Sequence, residues 1–391
     1  MTANELIAAP TTERVAATDF QRDVYCVMGL PFDAVTLVQA RDGLLADARA
    51  GRRNFFSTPN LNFLITSLRD TDFRDSVLRS DRSFADGMPV IWMARALGVP
   101  LRERVAGSTV FDMLRAQRGQ PLRVYFFGGP DGVARRAGDV LNAEGGSMLC
   151  AGAHAPGFGS IADMSTPALL ADINAAAPDF VLVALGAKRG QAWIERNLAA
   201  LNAPLISHLG AVINFVAGTI EQAPSRVSGL GLEWLWRIKE EPALWRRYWN
   251  DGTALLSLLV TRVLPGALAA RRERSAVASA PAPAVDVRTA NGERRLTLAG
   301  HWHVANLAPL RLALTAATAT PADIVLDLSA VRALDSAALA LLMLLYGHQS
   351  KIGRGYRTEG ASAALRAALT RHCALYLLDS LPATASAHQE S

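Results

Sequence analysis

Leu122-Arg123-Val124-Tyr125-Phe126-Phe127-Gly128-Gly129-Pro130-Asp131-Gly132 runs from a β-like apolar stretch into a glycine-rich turn, and residues 133–144 continue at helical spacing. The same grammar recurs on either side. Residues 53–56 lead into Ser57-Thr58-Pro59-Asn60, 180–185 end at Gly186, and 205–209 end at Gly210. Helix-period stretches at 61–78, 133–144, 167–176 and 191–201 separate them. Strand–turn–helix units in series predict an α/β domain with a mainly parallel sheet. In such folds ligands bind beyond the carboxyl ends of the strands, where these turns lie.

Outward from that core the chain changes character. Residues 232–250 are basic and aromatic, 251–274 are basic and amphipathic, and 275–293 are rich in Ala, Ser and Pro. The last of these reads as a linker. A second, smaller α/β unit is predicted at 294–381, with strands at 296–298 and 324–328 and helices at 307–319, 336–348 and 361–372. Residues 1–23 read as a flexible leader and 382–391 as a tail, which leaves 24–250 as the main domain.

Composition excludes several classes. Half of the 391 residues are apolar and 19% are charged, enough for packed cores and too apolar for a disordered chain. Lys188, Lys239 and Lys351 are the only lysines, against 37 arginines. This is a compositional bias, so the net charge of +5 does not by itself argue for nucleic acid. Nine of the basic residues, against five acidic ones, fall in 226–274, so the positive field is local. Cys26, Cys150 and Cys373 are scattered and fit neither a disulfide framework nor a zinc site. No run of about 18 apolar residues reads as a spanning helix; Arg262 and Pro265 interrupt the nearest approach, at 254–270. The N-terminus does not read as a signal peptide.

Three clusters carry candidate chemistry. Thr58 and Asn60 follow a strand and precede a helix, where such side chains either cap the helix or meet a phosphate or sugar. Asp86, in Phe84-Ala85-Asp86-Gly87-Met88-Pro89, has apolar neighbours that would raise its pKa and suit it to general-base work; an Asx-type turn fits equally. Arg104, in Glu103-Arg104-Val105-Ala106-Gly107, suits a bidentate grip on a diphosphate or a surface pair with Glu103. Asp70-Thr71-Asp72 imitates a metal-binding D-x-D, but in the helical pattern 61–78 its carboxylates would point apart, so no metal is expected.

Together these clusters resemble the opening motifs of the WecG/TagA/CpsF glycosyltransferase family. Further matches follow in order: Gly128-Gly129, Pro178-Asp179, Gly186, Trp193-Ile194, Gly210, Asn214-Phe215, Ala217-Gly218, Ala223-Pro224, Leu232-Glu233-Trp234-Leu235-Trp236-Arg237 and Arg246-Arg247-Tyr248. The resemblance implies a Rossmann-like, inverting glycosyltransferase on the inner face of the plasma membrane. It would move a sugar, often N-acetylmannosamine, from a UDP-sugar to a polyprenyl-diphosphate-linked acceptor, in exopolysaccharide or other cell-surface glycan synthesis. Asp86 would be the base, with Thr58, Asn60 and Arg104 around the substrates. No metal or other cofactor is implied.

Some positions depart from the pattern. Gly190 stands where the family has Gln, and Gln191 where it has Glu, so Gln191 is a candidate to take over the contact. Gln222 replaces a basic residue, Arg226 replaces a Trp, and an Arg after Pro242 is missing. Trp234, Trp236, Trp245, Tyr248 and Trp249 interleave with Arg237, Lys239, Arg246 and Arg247. That mixture fits a lipid headgroup boundary, stacking on nucleic acid, or packing on the domain itself; the resemblance favours the membrane, with Arg237 and Arg247 reaching a diphosphate. At the C-terminal end, Leu298-Ala299-Gly300, Ile324–Ser329 and Leu334-Asp335-Ser336-Ala337-Ala338-Leu339 resemble a STAS domain. Ala337 stands where regulated members carry a phosphorylated Ser, so a protein-interaction or scaffold role is expected. Two other classes compete: a regulator with altered catalysis acting through the STAS-like unit, and a nucleotide-dependent oxidoreductase, for which Gly128–Gly132 lacks the G-x-G-x-x-G form.

Overall fold

The computed structural model describes residues 18–157, 159–224, 227, 231–276, 282–290 and 292–383. Arg226 and most of the expected leader and tail lie outside them.

A hairpin opens the fold, with β1 (Val24–Val27) and β2 (Leu30–Asp33) antiparallel. The main sheet has six parallel strands: β3 (Asn54–Ser57), β4 (Arg82–Ser83), β5 (Leu122–Gly128), β6 (Met148–His154), β7 (Phe180–Ala184) and β8 (Leu205–His208), in the order β4-β3-β8-β7-β5-β6. Helices α1 (Leu37–Arg49), α2 (Leu61–Ser67), α3 (Thr71–Leu78), α4 (Met88–Ala96), α5 (Gly107–Arg115), α6 (Val133–Glu144), α7 (Pro167–Ala175), α8 (Ala187–Asn197) and α9 (Val212–Ala217) connect them. The central strands β3, β7 and β8 are buried on both faces, apart from His208 at the end of β8. This is why β7 reads as an unbroken apolar run, and β3 and β8 as short apolar pairs, rather than as alternating strands.

The single helix expected at 61–78 is two. The first ends at Ser67 with Leu68 as its C-cap, and Asp70 caps the second, its Oδ1 accepting the Phe73 N–H at 3.0 Å. The D-x-D look-alike is therefore a helix start, and Asp70 also pairs with Lys188 at 2.5 Å.

Beyond the sheet, α10 (Glu233–Glu240), α11 (Trp245–Leu258), a π turn (Leu259–Val263) and α12 (Leu264–Ala276) form an arm. Its stretch Pro242–Ala270 is long and apolar enough to cross a membrane, contrary to the expectation that Arg262 and Pro265 interrupt it. Pro265 cannot donate one turn back, and the wider π turn before it absorbs the lost bond. Arg262 donates to the Thr370 carbonyl at 3.0 Å. Leu258 and Val263 are buried, and Trp245, Trp249, Leu256, Val260, Leu264 and Leu268, at intervals of four and seven, are each more than half exposed.

The C-terminal sheet has the order β12-β11-β10-β9, from β9 (Ala284–Ala290), β10 (Glu293–Trp302), β11 (Asp323–Leu334) and β12 (Tyr356–Glu359). Only the β9–β10 pair is antiparallel. Helices α13 (Ala308–Thr318), α14 (Ser336–Ile352) and α15 (Ala363–Arg371) pack with it. The region expected as a linker, 275–293, contains the end of α12 and all of β9. Val285 and Val287 lie opposite Leu298 and Leu296 in that strand pair, a short alternation that the Ala/Pro-rich surroundings obscure.

The two units share one core. Every residue of α14 from Ala337 to Gln349 is buried. A helix apolar on all sides needs cover on all sides, and α14 packs on β11, on the β1–β2 hairpin and on α3. Ser336, at the turn that resembles the STAS motif, donates to the Cys26 carbonyl at 2.9 Å, so this turn is held by the chain's own hairpin. Residues 18–23 are packed rather than flexible: Phe20 is buried, and Arg22 grips both carboxylate oxygens of Asp33 at 3.0 Å.

Candidate active site

The three clusters are sewn together by backbone hydrogen bonds just beyond β3. Phe84 N–H donates to the Ser57 carbonyl (2.9 Å), Asp86 N–H to the Pro59 carbonyl (3.0 Å), and Val105 N–H to the Ala85 carbonyl (2.8 Å). Gly87, at φ +106°, makes the turn that releases Asp86 from the start of α4. Asn60 Oδ1 accepts the Phe63 N–H at 3.2 Å, so Asn60 caps α2 while its Cβ stands beside Gly87. Thr58 is buried against Gly107.

Asp86 is the electrostatic centre. Its side chain is 27% exposed, and Arg104 Nε lies 3.7 Å from Oδ1. Burial is the main cause that pushes its pKa up to about 6; Glu233 adds to the rise, while Arg104 and the Gly107 N–H oppose it. Glu233, on α10, pairs with Arg104 Nη1 at 2.5 Å. The arm thus closes over the site through one ion pair that sequence reading missed. Leu232-Glu233-Trp234 was a visible motif, but nothing local tied its carboxylate to Arg104.

Arg237 and Arg247 come from the same arm. Arg237 pairs with Glu241 at 2.7 Å and lies over the Phe215 ring at 5.6 Å. Arg247 stands 3.8 Å from Asp251, which also accepts from Asn62. Both arginines, with Glu233 and Asp251, act on the Tyr248 hydroxyl, whose pKa burial raises. The fold therefore gathers Thr58, Asn60, Asp86 and Arg104, with Arg237 and Arg247 on the arm above.

Gln191 does not join them. It is 1% exposed, and its amide donates to Ser57 Oγ at 2.8 Å, so it braces the end of β3. Its place in the inward face of α8 is the reason. Among the described residues no group of three or more His, Cys, Asp or Glu is arranged to hold a metal.

A carboxylic acid held near neutrality beside an arginine, at the carboxyl end of a parallel sheet, fits a group-transfer enzyme that deprotonates a hydroxyl. The sequence model of the Glycosyl transferase WecG/TagA/CpsF family matches residues 25–267, and that of the Mlab, STAS domain matches 285–372. The chain belongs to the WecG/TagA/CpsF glycosyltransferase family and carries a C-terminal STAS domain. It is similar to the N-acetylglucosaminyldiphosphoundecaprenol N-acetyl-beta-D-mannosaminyltransferase of Bacillus subtilis, with 27% identity over 49% of this chain and 73% of that protein. The Staphylococcus aureus (strain MW2) protein of the same name is 21% identical over 56% of this chain and 85% of its own length.

Proposed function

We propose that this glycosyltransferase moves a sugar, N-acetylmannosamine or another hexose, from a UDP-sugar to a polyprenyl-diphosphate-linked acceptor, with inversion, in bacterial exopolysaccharide or cell-surface glycan synthesis. The activity for which the relatives are named supports the acceptor class. The observation that carries the chemistry is Asp86, poised near pH 6 beside Arg104. Asp86 takes the proton of the acceptor hydroxyl as that oxygen bonds to the anomeric carbon. The bond from that carbon to the diphosphate oxygen breaks, and its electron pair leaves with UDP. Arg237 and Arg247 stand on the arm where cations would steady the departing diphosphate. The reading assigns Asp70 no part in transfer, since it is committed to a helix cap and to Lys188.

The reading places the enzyme on the inner face of the plasma membrane. Its support is the exposed Trp245-to-Leu268 stripe flanked by Arg246 and Arg247, while Leu258, Val263 and the buried Asp251 tie the opposite side of the arm to the protein. A helix so tied lies along a bilayer rather than across it.

The test is a panel of UDP-sugars with a short polyprenyl-diphosphate-sugar acceptor, read by product mass, for the parent and Asp86→Asn. A sugar added by the parent alone fits the proposal. Absence of any UDP or UDP-sugar binding would favour the regulatory alternative.

A further inference from the structure

His208 is the last residue of β8, at the rim of the same crevice. It pairs with Val183 in the final rung between β7 and β8. On the other side Ser207 Oγ donates to the Phe56 carbonyl at 2.7 Å, which brings His208 level with Ser57. The next residue, Leu209, packs on Gly107, whose N–H bonds Asp86. His208 is thus one residue removed from the cradle of the base.

Its ring is fixed in one tautomer. Nδ1 lies 3.0 Å from the Val183 carbonyl oxygen, which only accepts, so Nδ1 carries the proton. Burial pushes the ring's pKa down to about 4, which keeps it neutral at pH 7. Nε2 is left with a lone pair that bonds no described residue, and His208 itself is half-buried.

Two glycines make room for it. A Cβ at Gly190 would collide with the ring, 2.7 Å from Cγ, and one at Gly210 would stand 3.2 Å from Nε2. Neither glycine has a left-handed backbone, and glycine inside a helix such as α8 is unfavourable. What these positions share is the imidazole they clear.

We propose that His208 Nε2 accepts a hydrogen bond from a sugar O–H or N–H in the transfer site, and so sets sugar preference. This rests on the glycosyl-transfer reading above. The contact suits a sugar rather than the uracil because His208 ends level with Ser57, the residue before Thr58 of the candidate site. Donor and acceptor sugars share this chemistry, and the experiment separates them.

The full chain is compared with His208→Phe, which keeps a ring without the acceptor, His208→Gln, which restores one, and Gly210→Ala, which narrows the approach to Nε2. Calorimetry measures binding of UDP and of each UDP-sugar, and kinetics give KM for donor and for polyprenyl-diphosphate acceptor. UDP affinity is expected to be unchanged throughout. His208→Phe is expected to weaken one sugar substrate about tenfold, and His208→Gln to recover most of that loss. Gly210→Ala is expected to weaken the same substrate. A loss confined to UDP-sugar binding and donor KM marks the donor sugar; a loss confined to acceptor KM marks the acceptor. Unchanged binding and KM in His208→Phe, or an equal loss for UDP alone, overturns the proposal while leaving glycosyl transfer intact. A parent that neither binds UDP-sugars nor transfers removes the underlying reading, and this proposal with it.

Discussion

Replacing Asp86 by Asn separates what the carboxylate does for catalysis from what it costs the fold. The native pKa of about 6 lies about two units above the ordinary value of 3.8. At about 1.4 kcal/mol per unit, ionised Asp86 costs the fold about 3 kcal/mol, and about 2 kcal/mol once solvent screening of its 27% exposed side chain is allowed for. The sign follows from linkage. A raised native pKa favours the folded state below pH 3.8, where Asp86 is protonated in both states, and that advantage is lost as pH rises through 6. Asn is neutral at every pH and can still accept the Gly107 N–H. Urea unfolding should therefore find Asp86→Asn about 2 kcal/mol more stable than the parent at pH 8, with the gap closing towards pH 4. Transfer activity should fall by about 10²- to 10⁴-fold. An Asn variant equally destabilised at both pH values would refute the buried-base argument, and one retaining most of its activity would refute the role assigned to Asp86.

The acid limb of kcat/KM should fall near pH 6 and move in opposite directions in two variants. Glu233→Gln removes a charge that raises the Asp86 pKa and should shift the limb down; Arg104→Met removes one that lowers it and should shift the limb up. Gly347→Val should cost about 3 kcal/mol by urea unfolding, because a Cβ there collides with the Leu78 carbonyl at the junction of α14 and α3; parental stability would argue against the shared core. Trp249→Glu with Leu256→Glu should abolish flotation with anionic vesicles and leave UDP affinity unchanged, since both side chains are more than half exposed on the arm.

Much of the fold was legible because its signals are local. The strands β3, β5, β7 and β8 carry short apolar stretches closed by Ser57, Gly128, Gly186 and Gly210, and the intervening helices keep their period. The strands left unread are short or lie at sheet edges. β4 has two residues, and the edge strand β6 is built on Cys150, Ala151, Gly152 and Ala153, with little alternation to detect. The break at Asp70 was hidden because capping depends on which backbone N–H its side chain reaches, and an apolar period continues across it.

By itself the sequence determined the two α/β units, the turns beyond the main sheet, and Asp86, Thr58, Asn60 and Arg104 as the residues to watch. The tertiary structure alone decided what surrounds them. It brought Glu233 onto Arg104, turned Gln191 inward to Ser57, and set His208 in the space cleared by Gly190 and Gly210. It also buried the apolar length of α14 against the hairpin of the other unit. The difference is physical. Helix caps, turns and strand periods are set by atoms a few residues apart, whereas a carboxyl's pKa, a ring's tautomer and the cover on a buried helix depend on distances through space, which are fixed only when the chain has folded.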